Sequence, residues 1–188
     1  WHYTHSSLSE SFGDYNQKGL DMHDVIGCGS AAQVYRAKLK EDENERWVAV
    51  KVLHPRMTWL VERDMWLMDT VAKLLHSLPL DFIQMANLPR AASNFGNNLR
   101  QQTDLSHEAA NLHEFRQNFY GKNGRKEESS LILFPQPIQG WVSHDVMLED
   151  LVEDATPIAE FLKDESEQGL AIRKELGSIL LRAFLKMV

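Results

Sequence analysis

The sequence has little of what several large classes of protein require. It contains one cysteine, Cys28, in 188 residues, which excludes an internal disulfide and any zinc site built from several cysteines. No apolar run approaches the roughly 20 residues that a membrane-spanning helix needs. A formal net charge of −7 opposes general nucleic-acid binding, because neutralising phosphates takes clustered Lys and Arg. The histidines are scattered without the spacing of metal ligands, so we expect neither a metal site nor a nucleic-acid partner.

What remains is the composition of a packed globular protein, with 43% hydrophobic and 25% charged residues. Alternating and β-branched apolar residues predict strands, and apolar residues at helical spacing predict helices. The predicted strands are 20–27, 32–40, 46–53, 131–135 and 141–150. The predicted helices are 57–78, 91–119 and the region after residue 156. Gly-containing residues 121–130 are predicted to form a loop. The order indicates an α+β fold with five strands.

The first predicted hairpin has the low bulk that a phosphate-binding turn needs. Gly27, Gly29, Ser30 and Ala31 let backbone N–H groups approach a phosphate closely. A purely structural turn explains the same residues, so the hairpin alone is weak support. Lys51 strengthens it, because "VAVK" on the following strand has the pattern of the kinase lysine that pairs with nucleotide phosphates and a helical glutamate.

Two further features fit that pattern. Glu108 lies within a predicted helix and can serve as the partner of Lys51. The segment "HDVMLEDLV" reads as a strand followed by an acidic link, where the small lobe of a kinase passes to the large lobe. There the backbone of Glu149 and Leu151 would meet an adenine edge, and Leu148 would line the back of the pocket. An ordinary edge strand is the alternative.

These stretches together resemble a known family. "GCGSAAQVYRAKL", "VAVKVLHP", "QQTDLSHEAANLHEFRQNF", "FPQPI" and "VMLEDL" are similar to the aarF-domain, or UbiB-type, atypical kinases, which are associated with ubiquinone biosynthesis. Among the branches of the family the chain looks most like the mitochondrial one. The resemblance implies a protein-kinase-like small lobe over residues 1–150, with a five-stranded antiparallel sheet packed by two long helices. Residues 151–188 would then be the hinge exit and the first helices of a truncated large lobe.

The resemblance also implies a nucleotide site for ATP or ADP, with Mg²⁺ in the full-length protein. The implied nucleotide-binding residues are Gly27, Cys28, Gly29, Ser30, Ala31, Ala32, Gln33, Val34, Lys51, Glu108, Leu148, Glu149 and Leu151. Asp104 matches the acid of the family's ExD motif, and Asn111 matches the asparagine of "EAxN". Gln102 stands where the family usually has Glu, and the glycines of the hairpin stand where many members have Ala.

No KxGQ motif precedes the hairpin, and the sequence reaches Val188 before a catalytic-loop Asp and Asn or a metal-binding Asp. We therefore expect no catalytic residue within the chain. Three hypotheses stay open at this point: the nucleotide-binding part of a kinase or ATPase, a pseudokinase or scaffold that binds partner proteins or membrane lipids, and an α/β domain without a nucleotide site.

Overall fold

The computed structural model of the protein describes residues 2–41, 44–79, 81–120 and 132–187, with backbone only for Glu41 and residues 81–83. The strands are β1 (Leu20–Cys28), β2 (Ala32–Glu41), β3 (Asn44–Leu53), β4 (Pro137–Val142) and β5 (Val146–Asp150). The helices are α1 (His2–Phe12), α2 (Met57–His76), α3 (Asp81–Ala86), α4 (Leu88–Gln102), α5 (Leu105–Tyr120), α6 (Ile158–Phe161) and α7 (Glu167–Met187).

The strands form one five-stranded sheet in the order β1-β2-β3-β5-β4. Every neighbouring pair is antiparallel, which confirms the predicted α+β fold with its five-stranded antiparallel sheet. Strand β3 is central, so Lys51 is held from both sides: it lies opposite Val34 on β2 and Met147 on β5.

One face of the sheet, called here the outer face, is covered by α1. Leu8 and Phe12 of the helix pack among the side chains of every strand of the sheet, and Phe12 makes an edge contact with Trp141 at 5.1 Å between ring centres. Val48 and Val50 of β3 belong to the same cluster and are fully buried. Helix α1 was not predicted, because its four serines give it a weak apolar pattern.

The opposite face, called here the inner face, carries a smaller apolar cluster. Leu53 of β3 and Met147 of β5 pack with Leu105 at the start of α5. Ala109 and Leu112, one and two turns further along, extend this contact. Because side chains alternate between the two faces of a strand, Ala49 and Lys51 lie on the inner face with Leu53.

The predicted helix 91–119 is two helices. It breaks at Thr103 and Asp104, where the Asp104 carboxylate accepts hydrogen bonds from the backbone N–H of Ser106 at 2.9 Å and its hydroxyl at 2.5 Å. This is the pattern of a helix N-cap. The residues "TDLS" indicate such a helix start in the sequence. Glu108 is therefore in the first turn of α5 and not in the middle of a long helix.

The prediction of a strand at 131–135 is wrong for its described part, residues 132–135, which are irregular. The reason is that side chains of α5 take the backbone groups that a strand would pair. The Tyr120 hydroxyl donates to Ile132 O at 2.9 Å and accepts from Phe134 N–H at 2.7 Å, while Arg116 donates to Phe134 O at 2.5 Å. The predicted strand 141–150 contains the end of β4, a turn and β5. The predicted loop 121–130 lies outside the described residues.

Helices α2 and α4 pack against each other. The Arg100 guanidinium forms a bidentate ion pair with the Glu62 carboxylate, with N–O distances of 2.6 and 2.8 Å. Much of their apolar surface is exposed: Trp66 is 68% and Phe95 54% exposed. The apolar side of α4 is therefore not buried at Phe95. No helix within the described ranges is long and apolar enough to span a bilayer.

Candidate functional site

The turn between β1 and β2, residues 29–31, lies beside the C-terminal end of β3, where Ala32 pairs with Leu53. The N–H of Gly29 donates to Ala32 O at 2.8 Å and closes the turn. His54, which directly follows β3, donates its backbone N–H to Ala31 O at 2.8 Å, and its ring Nε2 lies 2.9 Å from Gly29 O. The turn is therefore tied to the strand that carries Lys51.

Lys51 and Glu108 form an ion pair on the inner face. The Lys51 Nζ lies 2.6 and 2.5 Å from the two carboxylate oxygens of Glu108. The Lys51 side chain is 25% exposed and that of Glu108 39% exposed. The pair is open enough to reach a ligand, yet sheltered enough for its charges to act more strongly than on an open surface.

The fold explains why these two residues meet. Two backbone carbonyls in the turn between β4 and β5 accept hydrogen bonds. Asp145 O accepts one from the N–H of Leu53 at 2.9 Å, and His144 O accepts one from the N–H of Leu105 at 3.0 Å. One turn thus fixes both the end of β3 and the start of α5. Because residues three apart share a helix face, Glu108 lies on the sheet-facing side with the buried Leu105.

Glu149 adds a second carboxyl to this face. It lies on β5 opposite Ala49 of β3, two residues beyond the inner-face Met147. Burial raises its pKa to about 7; the negative charges of Glu108 and Asp150 act in the same direction, while Lys51 opposes the shift. The sequence predicted only a backbone role for Glu149, since a neighbour's charge and the depth of burial are not readable from "VMLED". Leu151 directly follows β5 and is partly exposed.

Two predicted site residues point away from the pair. Leu148 is fully buried in the outer-face cluster, so the prediction that it lines the back of the inner-face pocket is wrong. The Gln33 side chain accepts a hydrogen bond from Tyr35, also a member of the outer cluster, at 3.0 Å. The inner-face neighbours are Ala32, Val34 and Met147. Gly27 and Cys28 end β1, and the Cys28 thiol is exposed.

The residues of the other predicted motifs lie around α5. Gln102, Glu108 and Asn111 line one cleft of about 640 Å³ between α4 and α5. Asp104 does not line this cleft but caps α5. Burial opposes its ionisation, but the hydrogen bonds from Ser106 and the nearby His144 and His107 lower the pKa of its carboxyl.

Within the ranges that the structure describes, no group of three or more His, Cys, Asp or Glu side chains is placed to hold a metal ion. The groups available for binding on the inner face are therefore a lysine, its carboxylate partner and the backbone N–H donors of a tight turn. Such a set can bind and orient phosphate oxygens.

The chain matches a known protein family over almost its whole length. The sequence pattern of the ABC1 atypical kinase-like domain matches residues 4–188. The chain belongs to the ABC1 atypical kinase-like family. This confirms the resemblance to aarF-type kinases that the motifs indicate.

Several curated ABC1 relatives match at modest identity. A probable serine/threonine-protein kinase, abkC, of Dictyostelium discoideum is 28% identical over 189 residues, covering 99% of this chain and 25% of the relative. A mitochondrial ABC1 family protein of Saccharomyces cerevisiae is 27% identical over 194 residues, covering 96% and 27%. One of Schizosaccharomyces pombe is 28% identical over 190 residues, covering 87% and 25%. The chain thus spans about a quarter of the length of these relatives.

Proposed function

We propose that this chain is the nucleotide-binding part of an ABC1-type atypical kinase or ATPase, with residues 1–150 as its small lobe and residues 151–188 as the start of its large lobe. The observation that carries the proposal is the ion pair between Lys51 and Glu108, formed beside a tight glycine-containing turn. In kinases the corresponding pair holds the lysine ready for the nucleotide phosphates. ATP or ADP would lie between the turn and β5.

The arrangement fits a nucleotide in three respects. Lys51 supplies a positive charge, and its ion pair with Glu108 holds that charge on the inner face. The turn supplies backbone donors. The end of β5 supplies backbone groups at Glu149 and Leu151 for the edge of a purine.

We propose Mg²⁺ and the catalytic groups for the full-length protein only. The described residues contain no cluster of acidic side chains that would hold the ion, so we propose no chemical step by this chain's own residues. Mitochondrial location and a role in ubiquinone biosynthesis or mitochondrial lipid metabolism are proposed from the family and from the names of two relatives.

Calorimetric titration of the full-length protein with ATP, with and without Mg²⁺, tests the proposal. Lys51→Ala should abolish or weaken binding by tenfold or more, about 1.4 kcal/mol, because a charge-assisted contact to phosphate is lost. Lys73→Ala is the matched control, since Lys73 pairs with Asp69 on the exposed side of α2. Equal ATP affinity in wild type and Lys51→Ala would contradict the nucleotide role. No binding by the wild type would favour a pseudokinase or scaffold that binds partner proteins or membrane lipids.

A further inference from the structure

His54 holds the turn of residues 29–31 by two contacts of different kinds. Its backbone N–H bonds Ala31 O at 2.8 Å, and its ring Nε2 lies 2.9 Å from Gly29 O. Because a carbonyl oxygen can only accept, the ring nitrogen donates. The ring contact is the one that a side-chain substitution removes, whereas the backbone contact persists in any non-proline variant.

The ring contact fixes the direction of a neighbouring N–H group. A trans peptide is planar, so the C=O of one residue and the N–H of the next point in opposite directions. No cis peptide bond occurs among the described residues. Since Gly29 C=O points towards His54, the N–H of Ser30 points away from it. Within the described part of the chain this N–H has no hydrogen-bond acceptor.

Without the ring, little else in the turn would hold that peptide plane. Glycine has access to a wider range of backbone angles than other residues, and Gly29 begins the plane in question. The Gly29 N–H bond to Ala32 O holds the preceding peptide, and the His54 backbone bond holds the peptide after Ala31. Among the described contacts, the plane between Gly29 and Ser30 is held by His54 Nε2 at 2.9 Å from Gly29 O and by the Cys28 thiol, a weak donor, at 3.8 Å. The ring contact is the stronger of the two.

We propose that His54 is a positioning residue for the nucleotide phosphates: its ring fixes the peptide plane between Gly29 and Ser30, which presents the Ser30 N–H to a phosphate oxygen. This inference rests on the proposed function, because it assumes that the turn covers a nucleotide. It assigns the ring a role that the sequence alone does not show, since His54 there only follows the predicted strand 46–53.

The test compares ATP with adenosine, which lacks phosphates, in calorimetric titrations of the full-length protein. His54→Ala should weaken ATP binding roughly 2- to 10-fold, the range expected for one hydrogen bond, and leave adenosine binding unchanged. His54→Gln should recover most of the loss, because its amide nitrogen takes a place like that of Nε2. His113→Ala is the control, since the His113 ring contacts Gln117 on α5, away from the turn.

Each other outcome overturns a definite part of the account. Equal weakening of ATP and adenosine by His54→Ala would show a general structural role and overturn the inference, as would an unchanged ATP affinity. If Lys51→Ala weakens ATP binding and His54→Ala does not, the inference fails while the proposed function stands. If the wild type binds no ATP, the proposed function fails first. If circular dichroism shows His54→Ala to be unfolded, His54→Asn replaces it, because its shorter amide does not reach Gly29.

Discussion

The two faces of the sheet are built from the same strands and differ in almost every physical respect. The outer face buries Val48 and Val50 completely beneath α1. The inner face carries Lys51, Glu108 and Glu149, all partly exposed, beside a small apolar cluster. The alternation of side chains along β3 lets one strand serve both purposes. The outer face provides stability, and the inner face is left free for charge.

The largest effect is expected from a substitution on the outer face. Leu148→Ala should lower the free energy of unfolding by about 2–5 kcal/mol, because a fully buried leucine leaves a cavity. Val34→Ala, on the half-buried inner face of β2, is the matched control and should cost less. Urea unfolding monitored by circular dichroism measures both. A loss for Val34→Ala as large as that for Leu148→Ala would contradict the division of roles between the faces.

A smaller effect on stability is expected from Glu149 on the inner face. The pKa of Glu149 is raised to about 7 by burial, so the folded state binds a proton more tightly than the unfolded state. Stability from this group is therefore present below about pH 4.5, the ordinary pKa of a glutamate, and is lost as the pH rises through 7.

Glu149→Gln removes this pH dependence. The variant should gain about 1–3 kcal/mol relative to wild type between pH 5 and pH 8, measured by urea unfolding at each pH. Glu153→Gln, at an exposed position after β5, should keep the wild-type profile. Parallel profiles for wild type and Glu149→Gln would show that Glu149 is not desolvated on this face.

The smallest effect concerns the turn that borders the inner face. A Cβ added at Gly29 would meet its nearest neighbour, Ala32 O, at 3.5 Å, which is an ordinary contact. Gly29→Ala should therefore raise stability by about 0.4–1 kcal/mol through the unfolded chain, as measured by the midpoint of thermal unfolding. A Cβ at Gly19 would lie 2.5 Å from Lys40 O, so Gly19→Ala should destabilise. Destabilisation by Gly29→Ala would show that the turn needs glycine.

The sequence predicted the parts of this comparison that depend on local pattern. The "VAVK" strand and the glycine-containing turn identified Lys51 and the hairpin without a structure. The assignment of side chains to faces was harder, because a shift of one residue in a strand moves every side chain to the other face. Leu148 was therefore placed on the wrong face, and Met147 was missed.

Contacts between segments that are distant in the sequence could not be predicted from local sequence patterns. Residues 132–135 have strand-like composition, but Tyr120 and Arg116 bind their backbone groups. The ring contact of His54 joins residues 25 positions apart, and the charge surroundings of Glu149 depend on α5. Tertiary context decided each of these cases.

Hydrogen–deuterium exchange of the full-length protein with and without ATP tests the central claim most directly, since it reports both faces in one experiment. The account predicts that ATP slows exchange in residues 29–34 and in residues 149–151, while α1 on the outer face is unchanged. Slowed exchange confined to α1, or unchanged exchange at the turn with ATP bound, would contradict the assignment of the inner face as the nucleotide site.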